Sequence, residues 1–346
     1  MFLFVCLIAG LLANSFADDK DGGKAPSLQL NDGNTMPQMG YSFGIHHWDA
    51  RDPNYSHSKC CCISAAEYML SPFQIETAVT KALDAGYRLI DTAAVYGTEE
   101  QVGRALQMTT VPREHIFLVT KLAAYDKHDV VFALRKSLER LNQTYVDMYM
   151  IASPVSFTPD KSAFEEIDYV DTWRGMVEAK TPGLTRSIGL ANFNITQVKR
   201  LLELSHVKPS VLDVEINLNL AQYKLVEYCK QNDIVVMAHT PLGRRFDHDS
   251  PGHYQLKDDP TLRGVGEKYG KTTPQVIYRY LIQRGLVPIA KLNSKTLEDI
   301  ETSMDIFDFS LSDIDMKTLS LYNENYRSVH PKEWLNHPYY PFVDNS

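Results

Sequence analysis

Three polar side chains in the first third of the sequence, Asp91, Tyr96 and Lys121, are of the types needed to hand a proton to a carbonyl oxygen. Delivering hydride to a carbonyl leaves an alkoxide that must be protonated, and a phenol, with a pKa near 10, is a weak acid for that task. An adjacent ammonium favours the phenolate and so lowers that pKa, while a carboxylate holds the ammonium in place. Asp91 and Tyr96 follow the apolar run ending Leu89-Ile90, and Lys121 follows Phe117–Thr120. Spacing alone fits a surface salt bridge beside an unrelated tyrosine equally well.

Such a trio works only if rigid elements converge on it. Apolar runs alternate with amphipathic segments almost to the end of the chain, the pattern of repeated βα units. Eight runs read as strands: Met39–Phe43, Tyr87–Ile90, Phe117–Thr120, Asp147–Ile151, Ser187–Leu190, Leu212–Glu215, Ile234–Ala238 and Leu286–Ala290. Between them, helical periodicity marks Gln74–Ala85, Val130–Leu141, Ala221–Gln231 and Pro274–Arg284, the last started by Thr273 and stopped by Gly285. No strand is followed by the Gly-x-Gly-x-x-Gly turn of an open dinucleotide-binding sheet, so eight units predict a closed (β/α)8 barrel, the TIM barrel of the α/β class. Leu28–Leu30 and Thr35-Met36, joined through Asn31-Asp32-Gly33-Asn34, predict an N-terminal β-hairpin plugging the barrel bottom. In a barrel, chemistry sits at the C-terminal strand ends, where Asp91, Tyr96 and Lys121 fall. The His-, Asp-, Ser- and Cys-rich insertion at about 45–71 follows the first strand and belongs to the same rim.

Bulk properties narrow the classes. A chain of 346 residues that is 44% hydrophobic and 23% charged can bury a sizeable core, and a net charge of −8 argues against nucleic-acid partners. The apolar N-terminus ending Asn14-Ser15-Phe16-Ala17, followed by Asp18-Asp19-Lys20, reads as a signal peptide over 1–17. It is too short for a membrane anchor. The mature chain, 18–346, is then one barrel domain, secreted and extracellular. Sequons at Asn54, Asn142 and Asn194 fit a secreted glycoprotein. Without Cys6, the cysteines are Cys60, Cys61, Cys62 and Cys229, an even number suited to an oxidising compartment. Although His46, His47 and His57 stand near the cysteine run, no metal-ligand spacing is present, and no metal is expected.

The segment Leu-Ile-Asp-Thr-Ala-Ala-Val-Tyr-Gly-Thr-Glu-Glu-Gln-Val-Gly (89–103) resembles the aldo-keto reductase signature almost residue for residue. Ser187-Ile188-Gly189-Leu190-Ala191-Asn192-Phe193 and Thr240-Pro241-Leu242-Gly243 are similar to two further segments of that family, and the likeness runs from about Leu28 to about Arg327. The resemblance implies a monomeric carbonyl reductase using NADPH, or NADH, on a small-molecule substrate. Tyr96 becomes the proton donor, Lys121 the group that lowers its pKa and Asp91 the support for Lys121. It also implies cofactor contacts from Asn192, Asp213, His239, Pro241, Leu242, Gly243 and Lys291.

The departures are specific. Where the family has His-Trp after the fourth strand, this chain has Ala152-Ser153, and the loss of one preorganised donor typically costs about 10²–10³ in rate. His46 or His47 is a candidate substitute. Ala191 stands for Ser, Asp213 for Gln, His239 for the aromatic ring that stacks on nicotinamide, Leu292 for Ser, and Asp299 lies near an expected Arg. Two readings follow: an oxidoreductase acting through Tyr96, or a catalytically silent barrel that still binds ligand or cofactor. Substrate choice is expected from the loops and from a C-terminal tail over the mouth, where Trp334, His337, Tyr339, Tyr340 and Phe342 form either an aromatic wall or a packed tail.

Overall fold

The structure, a computed structural model, describes residues 23–44, 71–243, 256, 259–291, 299–329 and 331–343. The signal segment, His46, His47, the Cys60–Cys62 run, Asn54 and Leu292 lie outside the described residues. Strands β1 (Ser27–Gln29) and β2 (Thr35–Pro37) pair antiparallel as the N-terminal hairpin. Eight parallel strands then close a barrel: β3 (Gly40–Ser42), β4 (Leu89–Asp91), β5 (Phe117–Leu122), β6 (Val146–Ile151), β9 (Thr185–Ala191), β10 (Val211–Glu215), β11 (Val235–His239) and β12 (Val287–Lys291). Closure is the β12–β3 pairing, in which Ala290 faces Tyr41. A short antiparallel ribbon, β7 (Ser156–Phe157) and β8 (Phe164–Glu165), follows β6.

Helices cover the barrel: α1 (Pro72–Asp84), α2 (Glu99–Met108), α3 (Val130–Leu141), α4 (Tyr169–Lys180), α5 (Ile195–Leu204), α6 (Tyr223–Gln231), α7 (Pro260–Tyr269), α8 (Thr273–Gln283), α9 (Asp299–Met304) and α10 (Asp313–Ser320). Their ends follow capping chemistry more closely than apolar periodicity. α1 starts two residues before the expected Gln74, because Ser71 and Gln74 form a reciprocal capping box and Pro72 occupies the first turn. In α8 the cap is Thr272, not Thr273: the Gln275 side chain accepts from the Thr272 backbone N–H at 2.8 Å, which draws the boundary back by one residue.

Two apolar clusters hold the layers. The larger lies between strands and helices, with Trp173, Tyr87 and Tyr149 among its fully buried side chains. The smaller fills the barrel interior and contains Leu89, Val119, Met148, Met150, Val211, Met237 and Ile289 together with Leu30 and Met36 of the hairpin. The hairpin therefore stoppers the N-terminal end, as expected. Asn31 donates to the Pro209 carbonyl at 2.9 Å, and Lys180 pairs with Asp32 at 2.9 Å. Burying Leu30 and Met36 stabilises the fold by roughly 3–6 kcal/mol.

Candidate active site

Side chains on a strand alternate between faces, so each interior apolar residue has an interior partner two positions on. Following that period upward from the apolar layer gives one residue per strand: Ser42 above Gly40, Asp91 above Leu89, Lys121 above Val119, Ala152 above Met150, Ala191 above Gly189, Asp213 above Val211, His239 above Met237 and Lys291 above Ile289. All eight line one cleft at the C-terminal ends, joined by Ala93, Val95, Tyr96, Asn192, Thr240 and Val329. The cleft holds about 700 Å³ of empty space, part of it open to solvent.

The expected trio is assembled there. Lys121 Nζ donates to Asp91 Oδ1, Ser42 Oγ donates to Asp91 Oδ2 at 2.8 Å, and Lys121 hydrogen-bonds Tyr96, with Nζ 5.4 Å from the ring centroid. Tyr96 is carried on a single 3-10 turn, Ala94–Tyr96, ended by Gly97 at φ 67°, a left-handed conformation that suits glycine. A Cβ on Gly44 would lie 2.5 Å from Tyr96 Cε2, so glycine is what admits the ring at that depth.

Electrostatics add burial and a second carboxylate to the pull of Lys121. Burial pushes the Tyr96 phenol upward; Lys121 pulls it down, but Asp91 and Asp213 oppose that pull, and the net is above the ordinary phenol value rather than below it. For Lys121, burial works downward and is outweighed by Asp91, Tyr96 and Asp213, so its ammonium stays charged. Burial raises both Asp91 and Asp213, and Lys121 acts against each rise. Asp213 Oδ2 lies 3.6 Å from Lys121 Nζ, while Asp213 Oδ1 is buried with no hydrogen-bond partner among the described residues.

Opposite the trio, Asn192 Nδ2 donates to the Ala152 carbonyl at 2.9 Å, which leaves Asn192 Oδ1 to accept from His239 Nε2 at 3.1 Å. Nε2 must then carry the hydrogen, so Nδ1 accepts from the Thr240 hydroxyl at 3.1 Å. Burial holds the imidazole neutral, its pKa lowered to about 4. Asn192 and Thr240 both sit at positive φ, 60° and 53°; for a β-branched residue such as Thr this is a strained conformation, of the kind that clusters at working sites.

Of the expected cofactor residues, Asn192, Asp213, His239 and Lys291 face the cleft, whereas Pro241, Leu242 and Gly243 form the turn beyond it, closed by Gly243 N–H to the Thr240 carbonyl at 2.9 Å. Lys291 is exposed, on the rim. Below the Ala152 gap the chain is firmly held: Lys127 Nζ donates to the Ser153 and Pro154 carbonyls at 2.8 and 3.0 Å. Burial lowers that amine to about 7.

The tail crosses the rim at Val329, where Glu215 accepts the backbone N–H of Ser328 and Val329. The aromatic wall is not formed in the cleft. Trp334 packs near Phe157, His337 stacks edge-on to Phe164, and Tyr339 meets Tyr169, so these rings clasp the β7–β8 ribbon and α4. Glycosylation chemistry separates as well: Asn142 is exposed, but the Asn194 side chain caps α5 and donates to the Pro341 carbonyl at 3.0 Å. Cys229 is a buried free thiol, raised by burial to about 12. The sequence reading missed Ser42, Gly44 and Glu215. The two-residue period that finds Asp91 also finds Ser42; nothing local marks Gly44.

Residues 65–324 match the model of the aldo/keto reductase family. Aldo-keto reductase AKR2E4 of Bombyx mori is 39% identical over 326 residues, covering 92% of this chain and 99% of that protein. Aldo-keto reductase family 1 member A1-A of Danio rerio is 38% identical over 302 residues, 79% of this chain and 92% of its own length. The crystal structure of the Bombyx mori AKR2E4 protein in complex with NADP superposes with a TM-score of 0.80 at 37% identity, covering 92% of this chain and 99% of that one. A structure of aldo-keto reductase AKR2E5 complexed with NADPH gives 0.79 at 36% identity, with 92% and 94% covered.

Proposed function

The chain belongs to the aldo/keto reductase family, and from that premise we propose that it is a secreted NADP(H)-dependent oxidoreductase that reduces an aldehyde or ketone to the alcohol. The observation that carries the reading is the Asp91–Lys121–Tyr96 chain of contacts at the floor of the cleft. The residues present fit a nicotinamide cofactor: His239 offers a flat neutral ring, Asp213 Oδ1 an unused acceptor, and Lys291 a cation at the rim. When bound, such a cofactor supplies the hydride. Tyr96 holds the proton that neutralises the developing alkoxide, and its raised pKa keeps it protonated until a substrate oxygen arrives. Lys121 steadies the phenolate that results, and Asp91 with Ser42 fixes Lys121.

Ala152 supports a second reading. With no donor at that position, the barrel binds cofactor or ligand without turnover. Titrating NADPH fluorescence with purified chain, then adding a small aldehyde, separates the two. Binding with turnover supports the reductase, binding without turnover supports the silent binder, and no binding at millimolar cofactor removes the reductase. Secretion rests on the N-terminal pattern at 1–17; a secretory host should release a chain beginning at Asp18 as a single barrel domain, and an unprocessed cytosolic product refutes it. Of the two sequons described, Asn142 is the one free to carry glycan.

A further inference from the structure

Among the described residues that line the cleft the cations are Lys291, exposed on the rim, and Lys121, which is buried between two carboxylates. Asp91 touches it directly and is itself braced by Ser42. Asp213 stands off at 3.6 Å, only 4% exposed, with Oδ1 unpartnered in the cleft wall. One ammonium cannot neutralise both, so the inner cleft carries a surplus negative charge when both acids are ionised. A buried, unpaired carboxylate oxygen is costly, and a ligand that brings positive charge to it relieves that cost.

The two oxidation states of a nicotinamide differ in this respect: the oxidised ring is a cation and the reduced ring is neutral. Asn192, Asp213 and His239 lie on the adjacent strand ends of β9, β10 and β11 and share one wall. His239, being neutral, contributes no opposing charge. We propose that Asp213 makes this site selective for the oxidised, cationic nicotinamide over the reduced one, so that its carboxylate sets the redox preference of the bound pair. The inference rests on the cofactor reading above. The titratable groups that act on Asp213 are Lys121 from β5 and Asp91 and Tyr96 from β4 and the turn after it, while His239 from β11 lines the same cleft. Burial raises the Asp213 carboxyl, and a neighbouring cationic ring favours its ionised form, so oxidised-cofactor binding and ionisation reinforce each other.

At an effective dielectric near 20, a unit charge several ångströms away changes a cation's affinity by about one to two orders of magnitude. Lys121 offsets part of this, leaving roughly tenfold. The test is calorimetric titration of the purified full chain with NADP+ and with NADPH at pH 8, for the parent, Asp213→Asn and Asp213→Gln. The parent should bind NADP+ at least as tightly as NADPH, and in both variants the ratio of NADP+ to NADPH affinity should fall about tenfold, whatever the change common to the two nucleotides. A ratio of the two affinities that moves less than twofold in Asp213→Asn overturns the inference. If the variants do not fold, the parent alone decides: a clear preference for NADPH overturns it. A parent that binds neither nucleotide overturns the cofactor reading and this inference together, whereas binding with an unmoved ratio removes only the latter.

Discussion

Gly44 offers a test of whether the placement of Tyr96 matters as much as its presence. Its backbone is not in the left-handed region, so alanine meets no conformational penalty there and the effect of Gly44→Ala is one of space. The added Cβ would stand 2.5 Å from Tyr96 Cε2 and 2.7 Å from Cδ2 and Cζ. Carbon atoms in contact prefer about 3.5–4.0 Å, so the ring must retreat by roughly 1 Å. It cannot do so without leaving Lys121, whose Nζ is 5.4 Å from the ring centroid. A displacement of that size at a reacting group costs on the order of 10²-fold in rate, while overpacking costs about 1–3 kcal/mol in stability. Steady-state reduction of a small aldehyde with NADPH should therefore show kcat down by about 10²-fold, with NADPH affinity within about threefold because the Asn192–Asp213–His239 wall is untouched. A folded Gly44→Ala protein with the parent's kcat refutes the argument that this glycine sets the position of the acid.

Tyr96→Phe keeps the ring and removes the hydroxyl; any measurable carbonyl reduction should disappear with the melting temperature little changed, and unchanged turnover removes Tyr96 from the mechanism. Ala152→His with Ser153→Trp restores a donor on a segment already pinned by Lys127, and should raise kcat by about 10²–10³-fold, equivalent to roughly 2.7–4 kcal/mol. If that double variant binds NADPH and gains nothing, the pocket around Asp213 and His239 is the limiting defect. His239 gives a pH signature: its folded pKa, lowered by burial to about 4, lies below the ordinary imidazole value of about 6.5, so the unfolded chain binds the extra proton first. Its contribution to stability is complete above about pH 6.5 and lost as pH falls toward 4, by at most about 3 kcal/mol. Urea midpoints at pH 7.5 and 4.5 should differ less in His239→Tyr than in the parent, and equal differences contradict the assignment.

The barrel and its trio were legible because strand ends are marked twice, by an apolar run and by the polar residue that breaks it. Val130–Leu141 was read to the residue, since Asp129 caps it where the periodicity begins. Asp91 and Tyr96 stand in the segment 89–103 and Lys121 at the end of the next apolar run, so residue type and strand-end position mark all three locally. What escaped notice depends on contacts distant in sequence. Gly44 and Tyr96 are far apart along the chain, and the approach of a ring to a backbone leaves no local pattern. The tail's aromatic residues looked like cleft lining because their partners, Phe157 and Phe164, lie on strands of two residues each, too short to register as a period. The net position of the Tyr96 phenol is not legible locally: the pull of Lys121 follows from the pair of residue types, but burial and the second carboxylate depend on distant contacts.

Leu30 and Met36 of the hairpin complete an interior that apolar side chains of the strands already fill, so among the described residues packed side chains separate the lower end from the cleft. The turn from Asn31 to Asn34 therefore bears on how firmly the barrel is held together, and a change there should be felt in a melting temperature before it is felt in a rate.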